Sequence, residues 1–420
     1  MKKYFFFLFI VSLIYYPISA QTSAQDTTFK KIRLGGYGEM LYQWMDYGPD
    51  RYKGDGAPKD KRAYISIPRA IFAIDYKFRH DIVLGTEIEF EYGGTGAAME
   101  FEYAEAGEYE MEVEKAGEVV LEQFHITKSF GSIFNIRVGH MIVPVGLTNA
   151  HHEPIFFFGS SRPEGEMTMI PCTWHETGIS VLGSFSKIGL NYELMVVNGL
   201  DPNGFSKAEW VRVGRQKIFE LSTMTSPAFV GRLEYSPVKN LRIGASGYYN
   251  KSAKNASKPE KMTSVKGKVS IVTADAQYAS SNIVARANFI YGNLTDSKRI
   301  SELNRTVSSK AGFPRTDVAK NAMTYAAEAG YNVLSFFNTK QKLFPFIRYE
   351  YYNTMEDVES GVTKDTRYKR DILSFGLNYY ILPNLVVKAD YAMRQIDNGT
   401  YNDENTFGIS VAYTGWFIKK

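Results

Sequence analysis

Along residues 283–291, Ile283, Ala285, Ala287, Phe289 and Tyr291 share one face of an extended chain, and Val284, Arg286, Asn288 and Ile290 share the other. A period of two belongs to a β-strand, whose successive side chains point to opposite faces. The rhythm returns from residue 32 to the end, with almost no helical pattern between. It predicts about sixteen strands, at 32–45, 64–78, 81–92, 118–129, 132–143, 174–185, 187–197, 227–236, 240–250, 267–279, 282–292, 321–334, 341–353, 369–381, 384–395 and 404–418. One face of each is apolar and the other polar. Phe72, Ile74 and Tyr76 oppose Arg69 and Asp75; Leu233 and Tyr235 oppose Arg232 and Glu234; Val387, Ala389 and Tyr391 oppose Lys388, Asp390 and Arg394.

The connections alternate in length. Short ones hold Arg79-His80, Gly131, Ser186, Pro237-Val238-Lys239, Ser280-Ser281 and Leu382-Pro383, whereas long ones cover 46–63, 93–117, 144–173, 198–226, 251–266, 293–320, 354–368 and 396–403. A soluble sandwich would also alternate, but this asymmetry of turns and loops is that of an outer-membrane barrel. The predicted fold is therefore all-β, a transmembrane antiparallel β-barrel. Short periplasmic turns join its strands at one end and long extracellular loops at the other. An even strand count places both termini at the short-turn end.

Composition adjusts this picture in three places. Lys2 and Lys3, the apolar stretch from Tyr4 to Tyr16, and Ile18-Ser19-Ala20 read as a signal peptide over 1–20, leaving 21–420 as a single domain. Lys and Arg number 49 against 45 Asp and Glu, so removing Lys2 and Lys3 leaves 47 against 45, a balance that argues against a nucleic-acid partner. The 29 Tyr and 28 Phe suit the aromatic girdles of a barrel. A single cysteine, Cys172, excludes an internal disulfide.

Two connections stand out. In 93–117, Met99-Glu100-Phe101-Glu102-Tyr103 and Tyr109-Glu110-Met111-Glu112-Val113-Glu114 alternate glutamate with apolar residues around Ala104-Glu105-Ala106-Gly107. That pattern is a hairpin with one acidic face. Three uses stay open for it: a solvated protrusion, a latch onto a neighbouring barrel, or a carboxylate cluster for a divalent cation. The longest connection, 144–173, carries His151, His152, Glu153, Phe156, Phe157, Phe158, Arg162 and Glu164. So apolar a loop would be poorly solvated outside, so it is expected to fold inward, its phenylalanines on the wall and its charges narrowing the lumen.

A metal is not expected among His151, His152, Glu153, His175 and Glu176, because adjacent histidines point apart in an extended chain and no helical i, i+4 pair occurs. No nucleophile, phosphate-loop or paired-carboxylate signature appears. No enzyme activity and no cofactor are expected.

Val138-Gly139-His140-Met141-Ile142-Val143-Pro144-Val145-Gly146, Arg162-Pro163-Glu164, Trp174-His175-Glu176-Thr177-Gly178, Asn198-Gly199 and Gly231-Arg232-Leu233-Glu234-Tyr235-Ser236-Pro237 resemble the phosphate-selective porin O and P family, in its Bacteroidetes-type branch. The resemblance implies a sixteen-stranded, usually trimeric barrel with an inward third loop that passes small anions passively. Its basic lumen ladder would correspond to Arg69, Arg137, Arg232, Arg242, Arg286, Arg348, Lys388 and Arg394, but Glu87, Glu89, Glu91, Glu234, Asp275, Glu328, Glu350 and Asp390 share that face. Mixed charge favours general diffusion of small hydrophilic solutes or inorganic ions over phosphate selectivity. The rival reading is a surface-binding or adhesin-type barrel with a plugged lumen.

Overall fold

The computed structural model describes residues 29–49, 59–94, 100–101, 111–112, 119–216, 222–307, 313–397 and 403–420; the segment read as a signal peptide lies outside them. The strands are β1 Ile32–Pro49, β2 Lys59–Arg79, β3 Ile82–Glu91, β4 Glu100–Phe101, β5 Met111–Glu112, β6 Val119–Ser129, β7 Asn135–Ile142, β8 His175–Phe185, β9 Leu190–Val197, β10 Ala228–Tyr235, β11 Leu241–Lys251, β12 Lys268–Ala279, β13 Ile283–Leu294, β14 Asn321–Tyr331, β15 Lys342–Asp357, β16 Lys369–Leu382, β17 Leu385–Ile396 and β18 Glu404–Lys419.

All but β4 and β5 form one closed antiparallel barrel of sixteen strands, with β1 paired to both β2 and β18. Closure gives every strand two partners, which satisfies the backbone groups that lipid would otherwise leave unpaired. Lys31 and Ile32 amides donate to the Lys420 carbonyl at 2.7 and 2.9 Å, so the described start and end of the barrel meet at one rim. β4 and β5 pair only with each other, Glu100 opposite Glu112 and Phe101 opposite Met111, in the connection read as an acidic hairpin. The rest of that reading lies outside the described residues.

Strand ends differ from expectation where chemistry other than apolar alternation sustains pairing. β1 and β2 run on together to Pro49 and Lys59. Lys61 meets Asp46 at 3.3 Å and Arg62 meets Asp60 at 2.8 Å there, so ion pairs replace the apolar face as the pairing continues. β15 continues to Asp357 because Thr354 and Met355 are covered by loops. β7 starts only at Asn135, since 130–134 form the turn.

The outward face is the apolar one. Phe72, Phe124, Val138, Leu194, Phe229, Leu233, Val272, Ile347 and Phe375 are all exposed on it. Beside the short turns Phe78, Phe130, Phe134, Phe185, Tyr235, Tyr278, Tyr331, Phe336 and Phe337 stand exposed as one aromatic girdle. Tyr249, Tyr291 and Tyr325, near the long-loop ends of their strands, mark the other, with Tyr325 stacked on Tyr351 at 5.0 Å. Amphipathic rings at both rims fit a membrane slab between them.

The lumen corrects one expectation. Its face is not polar throughout. Towards the long loops Met195, Val197, Val230, Ile271 and Ile290 point inward and are buried. They pack with Phe205 and Trp210 of 198–227, Met262 of 252–267, Ile300 of the helix Ser297–Asn304 and Tyr368. The loops thus fold over the mouth and bury an apolar core inside the barrel's own rim. Trp210 is locked there by its indole N–H, which donates to the Ala319 carbonyl at 3.1 Å.

Candidate functional site

Beyond β7 the chain turns inward. Val143 and Val145 are fully buried, and Gly146, at φ +90°, turns the backbone into helix α1, Leu147–Ala150. A 3-10 turn follows over Pro154–Phe156, then helix α2, Glu164–Met169. The apolar composition of this segment is accounted for by burial. Phe157 and Phe158 are covered, and the Phe158 ring stacks on Phe346 at 5.1 Å with Phe344 5.7 Å away.

Hydrogen bonds then tie the segment around the wall. Ser246 of β11 donates to the Pro144 carbonyl at 2.7 Å. His151 lies 3.4 Å from Glu234 of β10, and His152 lies 3.0 Å from Glu122 of β6. Thr414 of β18 bonds Glu153, and Gln43 of β1 reaches Ser161 at 3.2 Å. Lys388 of β17 donates to the Pro154 and Phe157 carbonyls at 2.5 and 3.2 Å, with its ammonium over the Phe157 ring. The Gly159 amide donates to Asn378 of β16 at 3.1 Å and the Ser160 amide to Asp390 at 2.6 Å. Arg348 of β15 donates to the Phe158 and Ser161 carbonyls at 3.0 and 3.2 Å. The Asn288 amide of β13 donates to Glu166 at 2.7 Å. A segment so anchored is a cross-beam, held from nearly every side of the lumen.

Glu164 is its strongest polar anchor. Tyr352 donates to it at 2.6 Å, and Arg394 and Arg370 approach at 2.5 and 3.2 Å. Burial works to raise its pKa, but the two guanidiniums outweigh burial and hold the carboxyl at about 2. Glu166 shows the opposite balance. Burial lifts its carboxyl to about 7 even though the Asn149 amide donates to it at 2.7 Å. Arg162 turns back on its own segment, donating to Thr173 and Cys172, each at 2.9 Å.

The ten wall residues singled out from the sequence lie at inward positions of their strands, and half of them are buried. Arg232, Arg348 and Lys388 are buried, as are Glu87 and Glu89. This departs from a solvated ladder because the cross-beam fills the space beside them. Arg69 pairs with Glu89 and, at 3.0 Å, with Glu122. Arg232 contacts Glu234 and Asp275 at 2.9 Å each, Arg286 pairs with Glu328, and Arg348 meets Glu350 at 2.8 Å. Arg137 lies 3.5 Å from Glu193, and Arg242 donates to Gln277 at 2.6 Å. Arg69, Arg137, Arg242, Arg286 and Arg394 keep partial exposure. Each of these guanidiniums except that of Arg242 lies within 3.5 Å of a carboxylate, which offsets its charge.

Sequence reasoning missed Tyr37, Glu122, Tyr352, Arg370 and Asn378. Glu122 escaped because the β3–β6 register shifts between Glu87 and Ile88, leaving it as the extra residue between Leu121 and Gln123. The others sit on inward positions of their strands and were legible by alternation, but nothing local marked them as partners of a loop.

Several solved barrels share this fold. An outer-membrane protein of Vibrio cholerae, OmpT lacking loop L8, aligns at TM-score 0.51 and 11% identity over 92% of this chain and 100% of its own. The outer membrane channel DcaP of Acinetobacter baumannii aligns at 0.52 and 10%, covering 91% and 97%. The anion-selective porin of Comamonas acidovorans aligns at 0.50 and 11%, covering 91% and 99%. In sequence, an uncharacterized protein of Aquifex aeolicus (strain VF5) is 28% identical over 384 residues, 89% of this chain and 78% of that one. The family model of the beta-barrel porin-2, OmpL-like proteins matches residues 31–414, and this chain is an outer-membrane β-barrel belonging to that porin family.

Proposed function

We propose that the barrel is a narrow diffusion porin in which 144–173 forms the constriction and sets the size limit. The observation that carries this reading is the cross-beam itself: a segment rich in charge and backbone polar groups, inside the lumen, bonded to the wall on nearly every side. Small hydrophilic solutes and ions pass down their gradients, and no bond in the solute is made or broken. The pairing of lumen arginines with carboxylates supports weak ion selectivity rather than the phosphate or anion preference that the O and P resemblance implies. The homotrimer implied by that resemblance belongs to the same proposal and is tested by the mass of the detergent-solubilised protein.

Burial of so many lumen groups favours one second reading, a plugged barrel whose surface binds a partner. Planar-bilayer recording separates the two. For the porin, wild-type protein shows small stepwise conductances that grow when 150–168 is deleted, with reversal potentials in a potassium chloride or phosphate gradient close to zero. A silent wild type would sink the porin reading. An unchanged conductance after the deletion would remove the constriction from it, and a strongly anion-selective reversal potential would mean that the basic side chains dominate.

A further inference from the structure

Glu87 of β3, Glu122 of β6 and His152 of the cross-beam converge from three separate parts of the chain. One donor atom from each lies within 4.8 Å of the other two, and all three residues are buried. We propose that they form a binding site for a divalent first-row transition metal, such as zinc or manganese, that clips the inward segment to the β3–β6 wall.

The orientation of the imidazole is the first argument. His152 Nδ1 lies 3.2 Å from the Asn149 carbonyl, a partner that can only accept, so Nδ1 carries a hydrogen. Nε2 is thereby turned to Glu122 Oε1 at 3.0 Å. That gap is filled either by a proton on Nε2, which makes His152 an imidazolium, or by a cation that takes the Nε2 lone pair and the carboxylate together. A ring held by its other nitrogen through a backbone carbonyl is the usual arrangement of a metal-bound histidine.

The second argument is an independent one, the state of Glu87. It is only 6% exposed, yet its Oε2 has no hydrogen-bond partner. A buried carboxylate oxygen without a partner is costly, and a cation is the partner that removes the cost. Glu122, in contrast, is already oriented: the Tyr37 hydroxyl donates to its two oxygens at 3.1 and 2.9 Å, and Arg69 donates at 3.0 Å. Those contacts are what a ligand carboxylate receives from its surroundings.

Charge gives the third argument. Glu87, Glu89 and Glu122 face one another on adjoining strands, and Arg69 is the guanidinium paired with two of them. A bound cation would let all three carboxylates stay ionised beside a single arginine, by relieving their mutual repulsion. The donor set chooses its class. One imidazole with two carboxylates suits zinc, manganese or ferrous iron, whereas calcium takes six to eight oxygens. The neighbouring His151 goes instead to Glu234 of β10.

The full chain, purified in detergent and stripped with a chelator, is titrated with zinc by calorimetry and with cobalt(II) by visible absorption. We expect one ion per chain and a cobalt spectrum that changes when the nitrogen ligand is lost. Glu87→Gln and His152→Gln should each weaken binding at least tenfold. Glu87→Gln keeps the side chain's shape, and heat-modifiable gel mobility reports whether either variant still forms the barrel. Binding of less than one ion per chain at micromolar concentrations would overturn the site, as would wild-type affinity in a folded Glu87→Gln protein. These readouts are independent of conductance, so the site and the porin reading fail separately.

Discussion

Replacing Glu164 by glutamine should undock the cross-beam without unfolding the barrel. The carboxylate is shared by Arg394, Arg370 and Tyr352, all on the β15–β17 wall. Its pKa falls from an ordinary 4.5 to about 2. At 1.36 kcal/mol per unit that depression corresponds to roughly 3 kcal/mol of preference for the docked, ionised state. The figure agrees with the roughly 3–5 kcal/mol lost when one partner of a buried ion pair is removed. A change of about 3 kcal/mol alters a docked-to-undocked ratio by roughly 150-fold. Because the folded pKa is depressed, this contribution is complete above about pH 4.5 and fades only as pH falls toward 2. Single-channel recordings near neutral pH should therefore show larger or noisier open levels in Glu164→Gln, while urea unfolding in vesicles stays close to wild type. Identical gating in a folded variant would refute the idea that this anchor holds the constriction. A large loss of barrel stability would refute the idea that the segment can undock while the barrel stays folded.

Two further outcomes are expected. Glu166, lifted by burial to about 7, binds its proton more tightly when docked, so docking is strongest below about pH 4.5 and weakens as pH rises through 7. Conductance should climb between about pH 5 and about pH 8.5 in wild type and stay flat in Glu166→Gln; a flat wild-type profile would count against it. On the outer wall, Leu233 is 53% exposed beside an inward Arg232, so Leu233→Arg should cost about 2–4 kcal/mol of unfolding free energy in vesicles. A neutral effect would mean that this face does not meet lipid.

The barrel was readable because lipid on one side and packing on the other impose a two-residue period on every strand. Arg232 and Leu233, or Lys388 and Ala389, could be assigned to opposite faces from alternation alone. What alternation misses is any contact across the lumen. The cross-beam's composition announced that it would avoid water, but not that Glu164 would find Arg370 and Arg394, or that Ser160 would meet Asp390. Such pairs are set by the curvature of the closed sheet, which no local window contains. Bulges are the other blind spot: one extra residue beside Glu87 was enough to hide Glu122. The apolar lining near the mouth was likewise visible residue by residue, in Val230, Ile271 and Ile290, but its meaning depended on loops distant in the chain.

The cross-beam also constrains the order of assembly. Its wall partners from Arg348 to Thr414 lie well toward the C-terminus, and the Glu153–Thr414 bond joins residues 261 apart. Contacts of such separation form late, after the intervening loop entropy has been overcome. The chain therefore threads most of its strands while the Phe156–Phe158 run still lacks the wall that will cover it. Only when β18 meets β1 does the sheet close around the segment. Any factor that assists insertion has a sticky, temporarily homeless stretch to shield until the last strand arrives.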